Sequence, residues 1–186
     1  MGSLEHPALL YADLDDFLGS MVPFVSAGVD RGEFVFVAAR ADNLAALRAE
    51  LGERAGMVRW VDTRRWHPHP SSRLRAFHQL ATDQLSAGTT RLRLAGEPLW
   101  PTGPPELIRE WQRYESVLNA VLAPFPATLL CLYDTSSLDR SLVDSAQRTH
   151  PVVHRHGTER VSWEFESPQQ FLRRCNPTPA ATPVQG

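Results

Sequence analysis

The chain has 186 residues, 42% hydrophobic and 22% charged, with a formal net charge of −2. That is the profile of a soluble globular chain of about one domain. All 19 basic residues are arginines, which excludes a Walker lysine, a Schiff-base lysine, a pyridoxal-phosphate anchor and a Ser–Lys dyad within the chain. A chain of this length buries about 70% of its unfolded surface and needs neither disulfide nor metal to fold. Of its two cysteines, Cys131 lies in an apolar run and Cys175 near the end, and neither a signal peptide nor a membrane-length apolar segment is visible. The expected setting is therefore a reducing cytoplasm, with no membrane partner.

The first strand is expected over 8–11, with Asp13 capping a helix from about 14 to 31 whose inner face is Leu14, Phe17, Leu18, Met21, Val25 and Val29. Pro23 predicts a kink and Gly32 a stop. The run 34–39 is apolar on both faces, as a central parallel strand requires, and a helix over 42–51 closes at Gly52. A third strand over 57–61 leads into 62–70, a loop rich in Arg, His and Pro. A helix from Ser71 or Ser72 to Gly88 follows, then a strand over 90–95 whose alternation predicts one less-buried face. Pro104 and Pro105 open a helix reaching Val121, and 127–133 is a fifth, almost wholly apolar strand. A short helix ends near Thr149, segments 152–155 and 160–165 suit a hairpin around Gly157, and Ser167 with Pro168 begins a last helix.

Alternating strands and amphipathic helices of this kind predict an α/β fold. The expected architecture is one domain over 4–174, a three-layer sandwich with five or six parallel strands and an added C-terminal hairpin. The segment 175–186 is expected to be a disordered, proline-rich tail.

Ligands of such sheets bind beyond the carboxyl ends of the strands. The loops there carry Tyr11 and Asp13, then Arg40, then Asp62, Arg64, Trp66 and His67, then Glu97 and Trp100, and finally Asp134. Converging arginine, carboxylate and tryptophan suit a small, partly apolar ligand; taken singly, each residue also reads as a cap or a rim ion pair. Trp60 and Trp111 read as core. Five arginines against one acid, Asp62, lie between Arg59 and Arg75, but the near-neutral total argues against nucleic acid.

A phosphate loop needs bare glycine amides at a helix start. Here Asp13, Asp15 and Asp16 occupy that position, and the chain contains no Gly-x-Gly. His67/His69 and His154/His156 form His-x-His pairs, a weak metal signal without a companion acid, so no metal site and no cofactor are expected. A Gly-x-Ser-x-Gly elbow is also lacking, and Cys131 reads as packing without an activating neighbour.

The stretch His6-Pro7-Ala8-Leu9-Leu10-Tyr11, the segment 24–33 with Gly28, Gly32 and Glu33 leading into Phe34-Val35-Phe36-Val37, the pair Tyr133-Asp134 and the run Thr149-His150-Pro151-Val152-Val153 together resemble the MEDS domain, the methanogen/methylotroph sensory domain. The resemblance covers about 4–153. It implies a RecA/KaiC-like sheet that has lost its phosphate loop, and a signal-input role in bacterial regulators that sense small, often hydrocarbon-like molecules. Actinobacterial relatives join this domain to a histidine-kinase-like module of the anti-sigma type. With no such module after Arg174, the expected output runs through a separate regulatory partner or a homo-oligomer interface.

The leading expectation is thus a non-enzymatic sensory or regulatory domain that binds a small molecule and signals to a protein. A metal-dependent hydrolase using a His-x-His pair, and a ligand-free partner-switch module, are the competing readings.

Overall fold

In the computed structural model, which describes residues 3–102 and 104–175, seven strands form one sheet. They are β1 (Pro7–Tyr11), β2 (Phe34–Ala39), β3 (Val58–Asp62), β4 (Leu92–Gly96), β5 (Ala127–Asp134), β6 (Val152–Arg155) and β7 (Thr158–Val161). Their spatial order is β3-β2-β4-β5-β1-β6-β7. The first six are parallel and β7 returns antiparallel to β6.

This order dictates the layers. From β1 to β2 to β3 the chain steps one way across the sheet, and from β3 through β4 and β5 to β6 it steps back. Right-handed crossovers moving in opposite directions deposit their helices on opposite faces. Accordingly α1 (Leu14–Asp30) and α2 (Ala41–Leu51) cover one face, and α3 (Pro70–Ser86), α4 (Pro105–Val121) and α5 (Arg140–Thr149) the other, where α6 (Pro168–Cys175) packs on α4 and α5. The result is the expected three-layer α/β sandwich. One core joins Phe17, Met21, Val25 and Leu47 to Leu9, Val37 and Leu132. The opposite core joins Phe77, Trp111 and Leu118 to Leu10, Phe36 and Leu129.

Several local expectations shift. Helix α1 continues through Pro23. Beyond Gly52, which has φ +55, the chain turns through a 3-10 helix (Gly52–Met57) before β3. The alternation in β4 does not expose a face, because all five residues are buried. Arg93 points into the α1 layer, where its Nε lies 2.5 Å from Glu33 Oε2 and its guanidinium covers the Phe24 ring. A charge paired in this way can occupy a buried strand position. Gly28 makes the space: a Cβ there would collide with the Arg93 side chain and with Val35 Cγ2.

The hairpin's second strand is 158–161 rather than 160–165, because the antiparallel ladder ends at Val152 opposite Val161. Trp163 then stands 95% exposed. Trp60 is only half-buried, donating its indole N–H to Ala55 O beneath the Arg48 guanidinium. Of the expected tail, Cys175 ends α6, and the rest lies outside the described residues.

Candidate functional site

The reversal of crossover direction separates α1 and α2 from the helices opposite and leaves a crevice at the carboxyl ends of the four central strands. Each contributes one residue there. Tyr11 ends β1, Arg40 follows β2, Glu97 follows β4 and Asp134 ends β5. The Arg40 backbone N–H donates to Glu97 Oε2 at 2.8 Å, and its Nε lies 2.8 Å from Glu97 Oε1. Its Nη2 donates to Asp134 Oδ2 at 2.7 Å and to the Tyr11 hydroxyl at 2.9 Å. The Tyr11 hydroxyl donates in turn to Glu97 Oε1 at 3.2 Å and accepts from Asn43 Nδ2 at 3.1 Å. One guanidinium therefore ties four strands together.

The electrostatics follow from depth. Burial pushes the Glu97 carboxyl above its ordinary value, opposed by the Arg40 backbone N–H, the Arg40 charge and the Tyr11 hydroxyl. Burial acts on Asp134 in the same direction, but hydrogen bonds from Ser136, Arg40 and Ser137 outweigh it and hold this carboxyl below its usual range. Burial also disfavours the charge on Arg40, yet Asp134 and Glu97 more than offset this. Tyr11 is pushed upward by burial and then by the Glu97 charge, so it remains a neutral phenol.

Above these groups lies a cavity of about 210 Å³, walled by Leu99, Trp100, Leu132 and Leu138 and floored by Arg40, Glu97 and Asp134, with Arg64 at its rim. Two guanidinium groups face two carboxylates, so the cavity is close to electrically balanced. The Trp100 indole N–H is buried and has no acceptor among the described residues. Small volume, apolar walls and hydrogen-bonding groups without net charge suit a small ligand of mixed polarity. Two larger grooves, of about 670 and 840 Å³, flank the β6–β7 hairpin at the sheet edge, one against Phe24 of α1 and the other beside Trp163.

Of the ten residues expected at the strand ends, Tyr11, Arg40, Arg64, Glu97, Trp100 and Asp134 meet at this crevice. The other four do not. Asp13 caps α1, accepting from Asp16 N at 2.9 Å, while Asp16 Oδ2 accepts from Ala12 N at 3.1 Å. The amides where a phosphate would sit are thus taken by the chain's own carboxylates. Asp62 accepts from the Arg64 backbone N–H and closes its own turn. Trp66 packs edge-on against Phe77 and against Phe36 in the α3 layer. His67, at φ +46, leans on the Trp66 ring. The cause is strand order: β3 is the sheet edge, so only the start of its loop, Thr63 and Arg64, reaches the end of β4 and the crevice, while Trp66 and His67 lie beside α3.

Sequence reasoning missed Arg73 and Asn43. Arg73 is fully buried in the first turn of α3. It donates to the carbonyls of Glu97 and Thr63 at 3.0 and 2.8 Å and to those of Trp66 and His67 at 2.9 and 3.3 Å. It thereby braces the loop beside the crevice, and a buried arginine at a helix start has no local sequence signal.

Neither His-x-His pair joins a group of three or more metal-binding side chains among the described residues. His154 and His156 instead approach Glu159 and Asp16, at 3.7 and 3.5 Å. The group that does form is His6, Glu115, Cys131 and His150, all buried. Cys131, expected to pack without an activating neighbour, has His6 Nε2 3.3 Å from its sulfur, while burial pushes its thiol well above the ordinary value. One sequence cue existed: His6-Pro7 and His150-Pro151 lead into β1 and β6, which are adjacent parallel strands.

Fold and geometry define an α/β domain with a crevice at the carboxyl ends of its central strands and self-capped amides where α1 begins. The chain belongs to the MEDS family, the MEthanogen/methylotroph, DcmR Sensory domain, whose model matches residues 5–151. MEDS is a sensory-domain family, and a sensory or regulatory role follows from membership. No curated protein matches the chain. No described helix is long and apolar enough to cross a membrane.

Proposed function

We propose that this protein is a non-enzymatic signal-input domain that binds a small, uncharged, partly apolar molecule in the strand-end crevice and reports occupancy to a regulatory protein. The observation that carries this reading is the Arg40 hub, which links residues of β1, β2, β4 and β5 beneath a small cavity of mixed polarity. A hydrocarbon derivative with one hydrogen-bonding group matches the Leu and Trp walls and the polar floor of Arg40, Glu97 and Asp134. The sheet reads as a RecA/KaiC-like scaffold that has exchanged phosphate chemistry for this crevice, and free cysteines suit a cytoplasmic setting.

A ligand shifts an equilibrium only by binding two states unequally. Contact with Asp134 acts on the turn that leads from β5 into α5. Helix α5 is tied to the hairpin, because Ser162 Oγ donates to Gln147 O. A small movement of α5 therefore reaches the β7 edge and exposed Trp163. An anti-sigma or histidine-kinase-like module is the partner class this reading favours; a second copy of the chain is the other outcome of the test.

Calorimetry and thermal-shift measurements against short-chain and halogenated hydrocarbon derivatives, common metabolites and nucleotides test the crevice. The expected result is saturable binding of a small neutral compound, abolished by Trp100→Ala, with altered affinity for the partner module. If no compound binds while the partner binds regardless, the sensing reading fails and a ligand-free partner switch replaces it.

A further inference from the structure

Beneath the crevice, on the α4/α5 side of the sheet, four side chains from distant stretches meet. His6 precedes β1, Glu115 lies on α4, Cys131 is mid-β5 and His150 follows α5. None is more than 3% exposed, and their candidate ligand atoms all lie within 4.8 Å of one another.

The hydrogen bonds around the two imidazoles decide which nitrogen faces inward. Asn119 Nδ2 donates to the carbonyls of Thr149 and Ser116, at 2.8 and 3.2 Å, which leaves its Oδ1 to accept from His6 Nδ1 at 3.0 Å. His150 Nδ1 lies 2.8 Å from the Ala146 carbonyl, which can only accept. Both rings thus carry a proton on Nδ1 and, when neutral, present a bare Nε2 lone pair to the cluster. A histidine whose outer nitrogen donates to a fixed acceptor is the arrangement found at metal-ligating imidazoles.

Facing those lone pairs are further acceptors. His150 Nε2 lies 3.4 Å from Glu115 Oε2, and neither that nitrogen nor either Glu115 oxygen has a partner at full hydrogen-bond geometry, while the Cys131 thiol and the Tyr133 hydroxyl face Glu115 as donors. Arg73 makes no hydrogen bond to Glu115; four of its five N–H groups donate to backbone carbonyls. Two buried acceptors turned toward each other need a shared cation or proton between them.

We propose that His6 Nε2, His150 Nε2, the Cys131 thiolate and a Glu115 carboxylate oxygen bind one divalent transition-metal ion of the zinc class. Bond lengths of about 2.0–2.3 Å give tetrahedral ligand–ligand edges of roughly 3.3–3.7 Å. The His6–Cys131 and His150–Glu115 separations of 3.3 and 3.4 Å already match those edges. A divalent ion with one thiolate and one carboxylate is electrically neutral, as a fully buried site demands; the thiol proton leaves to solvent on binding. Four protein ligands leave no open position, so the role is structural, clamping the entry to β1 and the exit of α5 onto β5. Tyr133, two residues beyond Cys131, contacts both the His150 and the Trp100 rings, which connects the clamp to the crevice above.

Elemental analysis of the full chain, followed by chelator treatment and cobalt(II) titration, tests this independently of any crevice ligand. The expected result is one metal ion per chain and a thiolate-to-cobalt charge-transfer band with tetrahedral d–d absorption. The band persists in Cys175→Ser and in both His-x-His double-alanine variants, and disappears in Cys131→Ser. Since the chain has two cysteines, a band in Cys175→Ser assigns Cys131 even if Cys131→Ser does not fold. Folded, chelator-treated protein that takes up neither cobalt nor zinc overturns the proposal, leaving the Cys131–His6 hydrogen bond in a metal-free cluster. So does uptake without the thiolate band, or uptake lost with a His-x-His pair.

Discussion

Arg40 holds Glu97 twice, through its backbone N–H and through its guanidinium Nε, each at 2.8 Å. Backbone and side chain of one residue after β2 thus fix the carboxylate that follows β4, and the same guanidinium reaches Asp134 on the far side of β4. Replacing Glu97 by Ala leaves a partly buried cation short of one partner and strips the Tyr11 hydroxyl of its acceptor. We expect a loss of about 2–4 kcal/mol, read as a lower urea midpoint at unchanged m-value. In Arg40→Met/Glu97→Ala the two losses are less than additive, because the orphaned charge is gone.

The two carboxyls of the hub respond oppositely to pH. Asp134 is held below its usual range, so its stabilisation is present above the unfolded carboxylate value near about 4 and is lost as pH falls through the lower folded value. Glu97 is raised, so its folded form retains a proton longer, and its contribution falls as pH rises from the unfolded value through the folded one. Urea midpoints between pH 2 and 7 should show Asp134→Asn flattening the acid limb, while Glu97→Gln removes the decline at higher pH.

Three buried phenols set the alkaline limit, and Tyr11 is one of them, since burial also raises Tyr114 and Tyr133. The Tyr11 phenol is raised by burial and by Glu97, so the native state keeps a proton that the unfolded chain releases near about pH 10. Stability therefore decreases as pH rises past that point, and Tyr11→Phe should show a shallower decline in denaturation midpoints at high pH.

Gly28 has a negative φ, and its requirement is space. Gly28→Ala drives a methyl group into Arg93 and Val35, disturbing the buried Glu33 pair. A cost of about 1–3 kcal/mol is expected, with Tm falling roughly 2–4 °C per kcal/mol for a chain of this size. Differential scanning calorimetry checks it, and Gly19→Ala, with nothing near its Cβ position, should not lower Tm.

Arg73 shows why an arginine-only composition is not interchangeable with lysine. Its planar fork serves four carbonyls at once; an ammonium has three donors and no fork. Arg73→Lys should lower stability by about 2–4 kcal/mol and expose the 62–69 loop to limited proteolysis, whereas Arg75→Lys should be neutral.

Much of the fold was legible in the sequence, because periodicity records burial locally. The unbroken run of β2 announced a strand covered on both faces, and the capping carboxylates after β1 announced a helix start closed to phosphate. The site was legible in part. Residues at or just beyond the ends of central strands, Arg40, Glu97 and Asp134, reached the crevice, while Trp66 and His67, chemically as suggestive, went to the edge. His6, Glu115, Cys131 and His150 escaped because no spacing rule links four residues on separate elements.

The sequence by itself determined the strands and helices, the exclusion of lysine chemistry and the absence of a glycine phosphate loop, since each depends on neighbours along the chain. Only the tertiary structure decided which strand ends lie side by side, that Arg93 is buried in an ion pair, and that two His-Pro steps bring imidazoles together against a cysteine and a glutamate. Lateral strand order is set by the direction and handedness of long crossovers, and that information belongs to the assembled sheet rather than to any one segment of it.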